Sequence, residues 1–231
     1  TVPSLTGNRA LVKKENLYGF ADISGKEIIP CTYDEAKGFS EGYAWVKKED
    51  KWGRIDPSGK VNIPFIYQTS GLTSEGMTRV QKDGKFGAIN QKGQEVVPCI
   101  YDEIGFFKDG LAVATKEQKR GYIDKTGKTV VPFIYELADD FKGGVAIVRN
   151  NNKCGLVDKT GKIIAPLIYD GMDNFDNDQS GLARIHIGKK WGFINKKGKE
   201  IVPCIYIKAN FFSDGLALLI SEQGEAGYVD A

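Results

Sequence analysis

A glycine recurs at positions 19, 53, 87, 121, 155, 192 and 227, spaced by 34, 34, 34, 34, 37 and 35 residues. No other feature limits the fold as tightly, because a fixed period across 231 residues requires one structural unit repeated seven times. The stretch KWGFINKKGKEIVPCIY at 190–206 shows the unit: an aromatic-Gly pair, an Asp or Asn, a Gly-Lys, a proline and a tyrosine. Slots filled alike in every unit are explained first by the unit's own fold. Function is sought where one unit departs from the others.

Each unit reads as β-structure. Segments such as GYAWV at 42–46 and GVAIV at 144–148 alternate small with larger apolar residues and predict a first strand. A polar loop such as KKEDK at 47–51 joins it to the aromatic-Gly strand, so the pair predicts a hairpin. Glycine inside a strand predicts a bulge, or a neighbouring side chain lying across the backbone. The strand ends at Asp22, Asp56, Asn90, Asp124, Asp158 or Asn195, each followed three residues later by glycine. Here the side chain accepts backbone hydrogen bonds while the glycine supplies a positive φ. A third strand such as EVVPCIY at 95–101 follows, with its proline in all six copies at an edge or bulge.

Three antiparallel strands end pointing the wrong way for the next unit. The segment DEIGFFKDG at 102–110 and its equivalents must cross back, as a short fourth strand or as a loop with its Phe tucked in. The expectation is an all-β chain, a single repeat domain over 1–231 made of seven β-meanders with a period of 34 residues. The units form a β-propeller-like closed ring or, alternatively, an open curved array. Seven hairpins but six third strands are present. Residues 1–5 could supply the missing strand and close the ring, whereas an ungapped alignment puts Leu5 in the Phe39 slot.

Composition narrows the class. With 41% hydrophobic and 27% charged residues the chain is globular, and 32 basic against 30 acidic residues leave no field to concentrate nucleic acid. No apolar run approaches the roughly 20 residues of a helical membrane span. Residues 1–10 show neither a charged leader nor an apolar signal core, and no compartment follows. Cys31, Cys99 and Cys204 fill a slot held elsewhere by Phe65, Phe133 or Leu167, and Cys154 stands in an aromatic slot. All four read as small apolar residues, since no C-x-x-C spacing exists.

The departures are few. Asp176, Asp178 and Ser180 resemble the front half of a calcium loop, but position 187, where the closing Glu belongs, is Ile. No metal, cofactor or catalytic residue is otherwise assigned. His186 is the one histidine, with no Ser or Cys partner motif, and reads as a structural or surface residue. Trp45, Arg54, Arg79, Arg120, Arg149 and Arg184 stand in slots that are usually apolar or variable, and form the candidate partner-binding set.

The block G-F-I-D-x-x-G-K-x-I-I-P-x-x-Y-D, preceded by KW at 51–52 and 190–191, resembles the bacterial WG-containing repeat family. All seven units fit, with the aromatic replaced at Arg120, Cys154 and Ala226. That resemblance implies a β-structured binding module and carries no reaction. The expected function is therefore a non-enzymatic protein-interaction or scaffold module acting through its loop face. A carbohydrate- or envelope-binding module is the alternative, should Tyr43, Trp45, Trp52 or Trp191 stand exposed beside polar groups. A hydrolase would need Asp34, Asp102 and Asp170 to converge.

Overall fold

The computed structural model describes residues 5–6, 9–175 and 180–230, and among them the chain is all β, in seven small antiparallel sheets without a helix. It divides into two compact units, Thr1–Ile104 and Gly105–Ala231. In the first unit the sheets are β1 (Leu5–Thr6), β2 (Arg9–Lys14), β3 (Leu17–Ala21) and β4 (Glu27–Tyr33); then β5 (Glu35–Ala36), β6 (Ala44–Lys48), β7 (Lys51–Ile55) and β8 (Val61–Tyr67); then β9 (Thr73–Ser74), β10 (Met77–Lys82), β11 (Lys85–Asn90) and β12 (Glu95–Tyr101). Glu103–Ile104 (β13) ends it.

The second unit holds β14 (Leu111–Lys116), β15 (Lys119–Asp124) and β16 (Thr129–Tyr135); β17 (Leu137–Ala138), β18 (Val145–Asn150), β19 (Lys153–Asp158) and β20 (Ile163–Tyr169); β21 (Gly171–Met172), β22 (Leu182–Ile187), β23 (Lys190–Asn195) and β24 (Glu200–Tyr206); and β25 (Lys208–Ala209), β26 (Leu216–Ile220) and β27 (Ala226–Asp230). Neighbours within a sheet are consecutive in sequence, so every sheet is a meander.

The returning segment is both things the sequence allowed. Its first residues form a two-residue strand that opens the next sheet, and its Phe is buried at Phe39, Phe107, Phe141, Phe175 and Phe212. Leu5 and Thr6 pair with Ala10 and Arg9, as Ser40 bridges Tyr43 one period later, so Leu5 occupies the Phe39 slot. Residues 1–4 lie outside the described residues.

Sequence and local geometry agree closely. At the hairpin tips Glu15 and Asn16, Glu117 and Gln118, and Asn151 and Asn152 all have φ between 49° and 70°, the paired left-handed conformation that matches strand twist. At the next turn Asp124 Oδ1 accepts from the amide of Thr126 at 2.8 Å and that of Lys128 at 3.0 Å, while Gly127 takes φ 81°. Between β15 and β16 the register shifts from Arg120↔Tyr135 to Tyr122↔Val131, which places Pro132 in a bulge. A Cβ on Gly121 would stand 2.6 Å from the carbonyl oxygen of Val131. The recurring glycine is therefore required because the bulged backbone of the third strand presses onto it.

Burial alternates along β10, β14 and β18 but runs unbroken through three or four residues of the aromatic-Gly strands β3, β7, β11, β15, β19 and β23, and the core lies between successive sheets. Phe20, Ile29, Phe39, Val46 and Ile55 form one cluster in the first unit. Leu156, Tyr169, Phe175, Ile185 and Ile194 form another in the second. The tyrosines that end the third strands are buried at Tyr33, Tyr67, Tyr101, Tyr135 and Tyr169, and Tyr67 and Tyr169 donate their hydroxyls to Glu95 at 3.2 Å and Glu200 at 2.7 Å. Half-buried Cys99 and Cys204 lie in the slot over the recurring glycine, and burial pushes both thiols up to about 11.

A polar seam between two sheets

One packing pair recurs. Phe20 meets Phe39 edge-on at 4.8 Å, Tyr122 meets Phe141 at 4.7 Å, and Phe193 meets Phe212 at 4.9 Å, each pair joining a strand's residue after the glycine to the Phe of the next sheet. At the seam between the second and third sheets both partners change: the first is Arg54 and the second is Thr73. A third change accompanies them, because Thr78 stands where the six other units have alanine. Three apolar slots thus turn polar at one place, within the first unit.

Removing the aromatic pair leaves a cavity of about 640 Å³, whose walls include Tyr43, Trp45, Leu72, Thr73 and Thr78. Arg54 forms part of its floor and is 6% exposed. Its Nε and Nη2 both donate to Asn62 Oδ1, at 2.9 and 2.6 Å, and Nη2 also donates to the carbonyl of Gln91 at 2.7 Å. The Tyr43 ring covers the guanidinium, with its centroid 4.1 Å from Cζ. Burial pushes the Arg54 pKa down, opposed by Tyr43 and Glu41. Thr73 and Thr78 share a hydroxyl hydrogen bond of 2.7 Å.

The cavity wall also depends on Gly71, where a Cβ would fall on the carbonyl oxygen of Arg79. No other residue lets the chain pass there. At the mouth Lys37 Nζ donates to the Ser70 carbonyl at 3.1 Å, and Lys92 and Glu41 are exposed on the rim.

Of the six candidate residues, the structure brings two, Trp45 and Arg54, to this cavity. Arg79 donates to the carbonyl of Ile104 at 2.9 Å and covers Phe86. Arg184 does the same job three sheets later in the chain, donating to Asp173 at 2.7 Å and to the carbonyl of Ala209 at 3.0 Å while lying 3.6 Å from the Phe211 centroid. Arg149 donates to Cys154 Sγ at 3.3 Å, and half-buried Arg120 pairs across strands with Thr115 and Tyr135. The side chains of Arg79, Arg149 and Arg184 are thus tied into their own sheet or the next.

Asp34, Asp102 and Asp170 serve the hairpins beside them. Asp34 accepts from the amide of Glu49 at 2.9 Å, Asp102 pairs with Lys85, and Asp170 accepts from the amide of Gly188 at 2.7 Å. His186 packs over Gly171, where no side chain would fit beneath it, and against Trp191 at 4.6 Å. Asp176 and Asp178 lie outside the described residues, and Ser180 Oγ accepts from the amide of Leu182 at 3.0 Å. No group of three or more metal-ligating side chains occurs among the described residues. No helix there is long and apolar enough to cross a membrane.

Sequence reading missed Thr73, Thr78, Asn62 and Gln91. The signal existed in the columns of the repeat, where the alanine slot changes at Thr78 and the Phe slot turns polar at Thr73.

The sequence matches no curated protein. Solved structures similar in fold include a eukaryotic initiation factor, 11% identical with a TM-score of 0.40, covering 98% of this chain and 74% of that one. Hsv2 from Kluyveromyces lactis is 10% identical with a TM-score of 0.37, covering 93% and 86%. The WD40 β-propeller domain of Doa1 is 11% identical with a TM-score of 0.32, covering 96% and 89%. The WG containing repeat model matches six times in succession, at residues 18–52, 52–86, 86–119, 121–154, 155–191 and 191–219. Those matches cover most of the chain, and the protein belongs to the WG-containing repeat family.

Proposed function

We propose that the chain is a non-enzymatic protein-interaction module, and that a segment of a partner protein enters the cavity between the second and third sheets. The observation carrying this reading is the replacement of a core aromatic pair by Arg54 and Thr73, joined by Thr78. Polar groups in a core position give up apolar packing even where, as here, they are hydrogen-bonded within the fold, and a departure that the repeat's own architecture does not call for points to a use outside it. A rigid frame of meanders holds the walls, and a pre-formed cavity of this size suits a short stretch of peptide.

Carbohydrate binding is the second reading, favoured by half-buried Tyr43 and Trp45 standing beside polar side chains at the cavity. Trp52 is 9% exposed and belongs to the core. The two readings separate in one experiment. Random peptides displayed on phage are selected on the intact chain and on Tyr43→Ala, and both proteins are applied to a glycan array. Peptides enriched on the wild type and lost on the variant support the module. Glycan signals with no peptide enrichment would replace it with the carbohydrate reading.

A further inference from the structure

We propose that the cavity takes the carboxylate of an acidic residue in a partner peptide, with Arg54 as its counterion. This rests on the interaction-module reading above and names its ligand. Arg54 is a buried cation whose hydrogen bonds all go to neutral oxygens, those of Asn62 and Gln91. Nη1 donates none, and no carboxylate lies within ion-pair distance among the described residues. Burial costs the guanidinium hydration that Glu41, beyond ion-pair distance, offsets only in part, and an incoming carboxylate recovers more of that loss through a charge-assisted hydrogen bond.

The surroundings agree. Lys37 and Lys92 at the mouth outnumber Glu41, so the entrance favours an anion. Tyr43, Trp45 and Leu72 offer apolar walls for the stem of the acid and for a neighbouring side chain. A single buried cation beside neutral hydroxyls matches one negative charge, whereas a phosphate dianion calls for more cationic donors than this floor supplies.

The test is nuclear magnetic resonance on the intact ¹⁵N-labelled chain, read at the Arg54 Nε–H and Trp45 indole signals. The probes are acetyl-Phe-Glu-Phe-amide and its Gln counterpart. Saturable shifts with the Glu peptide are expected, with affinity at least about tenfold weaker for Gln. Lys92→Glu, on the exposed rim, should weaken the Glu peptide several-fold without moving the melting temperature. It decides the matter if Arg54→Met fails to fold. Equal affinity for the two peptides overturns the proposal, as does no saturable shift, or glucuronate or inorganic phosphate equalling the Glu peptide. Selected peptides that bind the cavity but lack acidic residues would remove this inference and leave the module reading standing. Absence of any selected peptide would remove both.

Discussion

The glycine that sets the period is held in place by a backbone, and that makes a sharp prediction for single residues. A Cβ at Gly121 would lie 2.6 Å from the carbonyl of Val131, and one at Gly87 would lie 2.5 Å from that of Val97, whereas at Gly227 nothing lies within 4 Å. The difference arises because among the described residues no third strand follows β27. Gly121→Ala should therefore destabilise by about 1–3 kcal/mol or more, since the clashing atom belongs to a bulge that cannot rotate aside. Gly227→Ala should change stability by less than about 0.5 kcal/mol. Thermal melts of the two variants check this, and equal losses would show that the glycine serves strand flexibility instead of close approach. Sequence reading anticipated a bulge or a covering side chain at this slot, and the group that covers Gly121 is main chain. The sequence could not show this, because the offending carbonyl belongs to the residue before the proline on another strand.

At the scale of the element, the Asp-x-x-Gly turns carry a pH dependence. Asp22, Asp56 and Asp158 are held below the usual carboxylate range chiefly by the hydroxyls of Ser24, Ser58 and Thr160, with backbone amides adding to the effect. A lowered folded-state pKa means the unfolded chain binds the proton more tightly. Their contribution is thus present above roughly pH 4 and disappears as pH falls through the folded values. Asn195 holds the same turn without titrating, accepting from the amides of Lys197 at 2.9 Å and Lys199 at 3.0 Å. Replacing Asp22, Asp56 and Asp158 together by Asn should flatten the fall of the melting temperature between pH 5 and pH 2 relative to wild type. Parallel curves would mean the acid sensitivity resides elsewhere. These turns, the paired left-handed hairpin tips and the proline bulge were readable in the sequence because each depends on residues within a few positions of one another. The sheet boundary was less so: the two-residue strand pairs forward with the next hairpin, and only long-range pairing reveals which sheet owns it.

Across the whole molecule, stability in a repeat chain approximates a sum over units and their neighbours, so a unit lacking a strand should open first. The last sheet has three strands among the described residues, and Tyr228 on its final strand is 72% exposed. Hydrogen exchange followed by mass spectrometry should find β26 and β27 losing protection before β15 and β19, and uniform exchange would indicate one cooperative unit. What the sequence determined by itself was the period, the all-β class, the order of strands within each meander and the positions where glycine, proline and Asx are compulsory. Local backbone chemistry repeats with the sequence, so each copy confirms the others. Tertiary structure alone decided the cavity. Arg54, Thr73 and Thr78 come from two different sheets, and their convergence exists only once those sheets stack face to face. The same stacking decided which arginines act as ties. Arg79 and Arg184 find carbonyls 25 residues ahead, while Arg54 is left with neutral partners at the edge of a space that an aromatic pair fills at three other seams.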